Sequence, residues 1–297
     1  MNVSTRQLRA FVALAEQRSF TRAAAECHLS QPAFSAVIVA VEEAVGARLF
    51  DRTTRRVELT QEGVLFETSA RRLLSDFEAS LEHVRGHAEK RHGRVSIAVL
   101  PSLAAGWLPD VLATFKQRHP GIELNVSDVL SQPCLDKVKA GTVDFALAAS
   151  QGQTAELKTE VFCSDRFYLV CRSEHPLMAV KTLRLKHLAG HPFIHMARNS
   201  SVRQYLEAAL HPQKLDSLME VEQLATVMGM VRAGLGVSLV PGLTLFHFRD
   251  EALATRPFKA PGLTRNIFLV RRADRALSTP AQAFYDLVME RKPPSIT

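Results

Sequence analysis

The sequence holds four cysteines in 297 residues, Cys27, Cys134, Cys163 and Cys171, and no two of them form a CxxC pair. That scatter argues against a zinc finger and a disulfide framework, and it fits a reducing compartment. No apolar run reaches the roughly 18 residues that a membrane span needs. The amino-terminal stretch MNVSTRQLRAF has no apolar segment and no cleavage site, so no secretory leader is expected. GxSxG, HExxH, Walker A and GxGxxG motifs are all missing. The Gly234-Leu235-Gly236 element lacks a third glycine and follows a helix rather than opening one. Among eleven histidines, His83 and His87 form an i, i+4 pair on a long helix, which reads as a solvated face. His191 and His195 read as structural groups or as neighbours of a cleft. No catalytic residue, metal site or cofactor is therefore expected, and the chain does not read as an enzyme.

What is present is an ordinary globular composition, 46% apolar and 23% charged. The length suggests about two domains at roughly 150 residues each. The net charge is +7. Residues 1–92 hold 13 Lys and Arg against 12 Asp and Glu, and the remainder holds 24 against 18, so +6 of the excess lies beyond residue 92. The first segment is nonetheless arginine-rich, with Lys90 its one lysine. Arginine is the better donor to phosphates and guanine edges.

Residues 1–58 read as short helices followed by a hairpin. Leu8, Phe11, Val12 and Ala15 share one helical face. A second helix starts near residues 19–21 and runs through Arg22 to Glu26. A third opens at Gln31-Pro32, with Ser30 as its cap and Pro32 in the first turn, where no N–H is missed. Phe34, Ile38 and Val41 form its buried face, and Gly46 ends it. Residues 49–59 alternate around a basic middle, which predicts a short wing. Residues 60–91 form one long helix. Phe66, Ala70, Leu73, Phe77, Leu81 and Val84 recur at coiled-coil steps, and this narrow stripe suits a partner helix or the helix's own globular core.

Beyond Gly93, strands alternate with amphipathic helices. Strands are expected at 94–100, 122–129 and 145–148, with helices at 106–118 and 133–140, the β-α-β-α-β order of a parallel α/β sheet. A second round follows. It has strands at 168–171, 193–195 and 236–240, helices at 203–210 and 222–233, a strand at 265–270 and a closing helix at 280–290. Two α/β subdomains joined by chain crossings make a two-lobed clamp.

Helix, tight turn and capped second helix make a helix-turn-helix. With Phe34, Ile38 and Val41 inward, the outer face carries Gln31, Pro32, Ser35, Ala36 and Val39. Gln31 can bond adenine bidentately, Ser35 can reach a base edge or phosphate, and Ala36 can touch a thymine methyl. Thr21 and Arg22 open the preceding helix. Arg52, Thr53, Arg55 and Arg56 lie on the wing, suited to phosphates or a minor groove. A three-helix bundle with a solvated arginine hairpin is the competing reading.

The stretch FVALAEQRSFTRAAAECHLSQPAFSAVIVAVEEAVGARLFDRTTRRVELTQEG resembles the N-terminal domain of LysR-type transcriptional regulators. SFTRAA, LSQPAFS, the E-E-x-x-G-x-x-L-F-x-R run over 42–52 and LTQEG carry the resemblance. HPGIELNV, AGTVDFAL, HPL and AGLGVSLVP extend it through the chain. The resemblance implies a winged helix-turn-helix at 1–59, a linker dimerisation helix at 60–91 and a two-lobed, periplasmic-binding-protein-like effector domain at 92–297. Lobe I then takes about 92–161 and 265–297, and lobe II about 162–264. It further implies a cytoplasmic, nucleoid-associated bacterial protein whose homodimers assemble into tetramers on AT-rich interrupted palindromes in double-stranded DNA. Its partners are then the transcription machinery and a small-molecule effector that alters DNA bending. The alternative class is a solute-binding-like cytoplasmic sensor without DNA binding. One departure stands out: Ala36, Val37 and Val39 occupy positions where the family commonly carries polar or basic residues.

Ligands of α/β sheets sit beyond the carboxyl ends of the strands, at helix N-termini. That rule gathers Ser102 and Leu103 after the first strand, Ser131 and Gln132 after the second, and Ser150 after the third. Across the cleft stand Ser200, Ser201 and Arg203 at one helix start and Gln223 at another. Each serine also reads as an ordinary helix cap, and Arg203 as a surface residue. With the +6 excess and apolar Leu100, Leu103 and Val240 in the wall, the expected effector is a small anion or carboxylated metabolite.

Overall fold

The computed structural model describes residues 3–52, 57–88, 93–150, 154–213, 215 and 217–293. Two compact units emerge, one of residues 1–90 with 139–143, the other of 91–138 and 144–297.

In the first unit, α1 (Thr5–Gln17) begins with a capping box in which Ser4 and Gln7 satisfy each other's backbone N–H. Ser19 caps α2 (Phe20–Glu26) and Ser30 caps α3 (Gln31–Val45). The turn between them holds His28 at φ 54°, and α2 and α3 meet at 96°. Gly46 at φ 78° stops α3, in the left-handed region that glycine occupies without cost. Phe34, Ile38 and Val41 are fully buried, and Ala23 and Ala24 are small where the helices pack. The wing is a two-stranded hairpin, β1 (Phe50–Arg52) against β2 (Val57–Leu59), whose connecting residues 53–56 lie outside the described ones. Glu42 fixes its root by accepting from the Leu49 and Phe50 N–H groups at 2.9 and 3.2 Å.

The long helix α4 (Gln61–Ala88) follows. Gly63 brings its first turn so close to the wing that a Cβ there would collide with the Leu49 carbonyl oxygen. Ala70 and Leu74 are buried in the unit's core and Phe66 packs against it, while Leu73, Phe77 and Leu81 are exposed. The expected single stripe is therefore two rows. Leu74, not Leu73, continues the inward row of Phe66 and Ala70. The Val84, His83 and His87 side chains lie outside the described residues.

The second unit opens with β3 (Gly93–Val99), the short α5 (Pro101–Ala104), α6 (Leu108–Arg118), β4 (Ile122–Asp128), α7 (Ser131–Lys139) and β5 (Phe145–Ala148). The chain continues through β6 (Leu157–Arg172), α8 (Leu185–Leu188), β7 (Phe193–Met196), α9 (Ser201–Leu210), β8 (Ser217–Val221), α10 (Leu224–Arg232) and β9 (Ser238–Pro241). It closes with β10 (Leu253–Phe258), β11 (Thr264–Arg272) and α11 (Thr279–Glu290). The large sheet runs β10-β6-β11-β5-β3-β4, with β9 also on β6, and β7 pairs β8 separately. β3 is parallel to β4 and β5, as the β-α-β-α-β pattern requires.

Two apolar cores define two lobes, one around Ile97, Phe115, Phe145 and Phe284, the other around Phe167, Phe193, Val227 and Leu239. The antiparallel strands β6 and β11 pass from one core to the other, with Asp165 directly opposite Arg265. A bulge at Phe162 lets β6 change which face points inward. The Tyr205 hydroxyl on α9 donates across to the Ala149 and Asn266 carbonyls at 3.3 and 3.5 Å. Among the described residues no single helix is long and apolar enough to cross a membrane.

Candidate functional site

Burying one face of α3 leaves its opposite face outward. Gln31, Pro32, Ala36 and Val39 are exposed and Ser35 is half-buried. Capping by Ser30 leaves this first turn regular, so Gln31 and Ser35 lie one turn apart on the presented surface. Thr21 and Arg22 are exposed at the start of α2, and the Arg22 guanidinium donates to the Gln17 carbonyl at 2.6 Å. Arg52 closes β1, while Thr53, Arg55 and Arg56 lie outside the described residues.

Between the lobes of the second unit lies a cavity of about 320 Å³. Its buried end is built from Ser102 of α5, Ser200 and Ser201 at the start of α9, and Arg265 of β11. Arg265 is 1% exposed. Its Nη2 donates to the Ser102 hydroxyl at 3.0 Å and to the Asp165 carboxylate at 2.9 Å, and its Nη1 lies 3.4 Å from the Ser201 hydroxyl. The Nε of Arg265 has no partner among the described residues. One guanidinium thus holds a serine from each lobe together with the hinge aspartate. Burial pushes the Asp165 carboxyl up, while Arg265 and the Leu243 and Gly242 N–H groups pull it down. Ser200 caps α9 by accepting from the Arg203 N–H, so the N–H-rich end of that helix faces the cavity. The open end carries Asp128, Asn199, Glu222 and Gln223, all exposed, and His247, which burial keeps below its ordinary pKa.

Ser102, Ser200, Ser201 and Gln223 come together in this lining, as does Leu100. The other expected residues do not. Leu103 is fully buried in the first lobe's core and Val240 in the second's. The Ser131 hydroxyl accepts from the Ala149 N–H and ties α7 to the end of β5. Gln132 is exposed and donates to Asp136 one turn along. Ser150 is exposed beside residues 151–153, which are not described. Arg203 is turned to Glu207, bonding it at 2.6 Å. His195 is buried behind the cleft wall, its pKa lowered to about 4 by burial and then by the Arg203 charge. Nor is the positive excess collected at the cavity, for Arg265 is the one Lys or Arg among the described residues that line it.

Arg265 and Asp128 were not anticipated. The signal for Arg265 was in the pattern: Cys163, Asp165, Phe167 and Leu169 alternate inward on one strand, and Leu263, Arg265 and Ile267 on another. Opposite charges at inward positions of two central strands require each other.

A family profile described as "LysR substrate binding domain" matches residues 88–293, and one described as "Bacterial regulatory helix-turn-helix protein, lysR family" matches residues 5–64. The chain is 31% identical over 284 residues to the uncharacterized HTH-type transcriptional regulator YbhD of Escherichia coli (strain K12), covering 95% of this chain and 90% of that protein. A full-length, singly substituted OxyR from Pseudomonas aeruginosa matches with a TM-score of 0.76 at 23% identity, covering 100% of this chain and 96% of that one. Full-length CbnR in complex with its target DNA matches with a TM-score of 0.71 at 22% identity, covering 97% and 100%. These two structures share the fold.

Proposed function

Because the chain belongs to the LysR family of bacterial DNA-binding transcriptional regulators, we propose that it is a ligand-responsive member acting in the cytoplasm. In this reading residues 1–59 bind operator DNA, 60–91 pair two chains, and 92–297 hold an effector between lobes I and II. Dimers assemble into tetramers, and the effector shifts the population of tetramer shapes and so the bend of the promoter. The operator is an AT-rich interrupted palindrome.

The observation that carries the DNA reading is the presented first turn of α3. Gln31 and Ser35 read base edges, Pro32 and Ala36 make apolar contacts, and Thr21, Arg22, Arg52, Thr53, Arg55 and Arg56 hold the phosphates. With Ala36 and Val39 outward, few side chains on this face hydrogen-bond, so methyl contacts and DNA shape carry more of the specificity. On the effector side, Ser102, Ser200, Ser201 and Gln223 bind together with Arg265, whose guanidinium favours a ligand carrying an anionic group.

Replacing Gln31 by Ala should weaken binding to DNA from upstream of the protein's own coding sequence by about 1–3 kcal/mol and relax one base position. A gel shift measures this. Unchanged affinity would remove Gln31 from base readout.

A further inference from the structure

We propose that the molecule held between the lobes is a zwitterion of the amino-acid type, its carboxylate at Arg265, Ser102 and Ser201 and its ammonium group between Asp128 and Glu222. This rests on the reading of the cavity as the effector site and names what that site takes.

The two ends of the cavity differ in charge and in depth. At the buried end, the Arg265 Nε has no partner among the described residues, and the start of α9 adds its N–H groups and partial positive charge. A carboxylate is drawn to the Arg265 guanidinium and to that helix end, whereas a bare cation meets two repulsive neighbours. At the open end stand two carboxylates, Asp128 and Glu222, neither with a hydrogen-bond or ion-pair partner among the described residues. Asp165 already balances the charge of Arg265, at 2.9 Å. The site with Asp165 is therefore negative overall, and a bare anion gains the guanidinium only to face Asp128 and Glu222. A ligand with one charge of each sign, set at the matching ends, meets neither conflict.

Each end also takes one group from each lobe. Ser102 belongs to α5 of the first lobe and Ser201 to α9 of the second. Asp128 ends β4 in the first, and Glu222 precedes α10 in the second. Both charged groups of the ligand then bridge the lobes, so binding favours their closed arrangement. The cavity, about 320 Å³, is at the small end of the ~300–1,000 Å³ of ligand pockets, which suits a compact metabolite.

Calorimetric titration of the full-length chain with each standard amino acid tests this. For each binder, the corresponding des-amino carboxylic acid and decarboxylated amine are titrated alongside, and inorganic sulfate serves as the bare anion. At least one amino acid should bind, and loss of either charged group should weaken it about tenfold or more. Asp128→Asn with Glu222→Gln should weaken the amino acid by a similar factor and leave the des-amino acid's affinity equal or higher. Binding of des-amino acids or sulfate as tight as that of any amino acid, or no binding by any amino acid, overturns the proposal. A des-amino acid that binds tightly and is lost in Ser102→Ala with Ser201→Ala discards the zwitterion and keeps the cleft. Binding that this serine pair leaves unchanged discards the cleft as well.

Discussion

A guanidinium that is 1% exposed depends on its partners, and Arg265 has three, two of them serines from different lobes. Arg265→Met removes the charge but keeps the volume, leaving Asp165 buried without its counter-ion. Breaking a buried pair from one side costs about 3–5 kcal/mol, which in a unit of this size lowers the melting temperature by several degrees. Adding Asp165→Asn should recover part of that loss. A melting curve for Arg265→Met superimposable on the parent's would contradict the pairing. His195 is a second buried polar group, with Nδ1 unpartnered among the described residues and Arg203, Glu207 and Glu220 as its charged neighbours. Its pKa is about 4 in the folded chain, against 6.5 as the ordinary value. The unfolded chain therefore takes up the proton first, and the stability tied to neutral His195 is full above pH 6.5 and lost as pH falls towards 4. The loss amounts to at most about 3 kcal/mol. His195→Gln should flatten the pH dependence of the melting temperature across that window. An unchanged slope would show that other groups dominate it.

At the scale of the element, α4 separates two kinds of apolar side chain that a spacing argument merges. Leu74→Ala opens a cavity in the first unit's core and should cost about 2–5 kcal/mol of stability. Leu73→Glu with Phe77→Glu touches positions outside that core and should leave the first unit folded. In sedimentation at micromolar concentration it should lower the mass, because both charges enter the paired seam. Equal mass for variant and parent, checked with residues 1–91 alone, would contradict pairing through this face. The adjacent leucines show where the sequence stops being informative. Both are apolar, and only the packing of Phe66 and Ala70 decides which of the two turns inward. β6 taught the same lesson. Its end, residues 168–171, was legible as a strand from an apolar run, but the bulge at Phe162 breaks the period and hid the first half. The helix-turn-helix was legible because capping serines, Pro32 and the Phe34/Ile38/Val41 spacing all point one way. The serines at the cleft were half legible: strand-end geometry located Ser102, Ser200 and Ser201, but could not tell that Ser131 bonds the backbone instead.

For the whole molecule, the exposed face of α3 on one unit and the two-lobed cavity on the other amount, in the proposed reading, to a reader and a sensor in one chain. The proposed control by a ligand requires that the reader distinguish one DNA sequence from another. The most direct test is a gel-shift comparison, at fixed salt, of the full-length chain on DNA from upstream of its own coding sequence and on a shuffled fragment of identical composition. The account predicts binding to the upstream fragment at least about 10³-fold tighter, the lower end for specific readers. Equal affinity for the two fragments would contradict it.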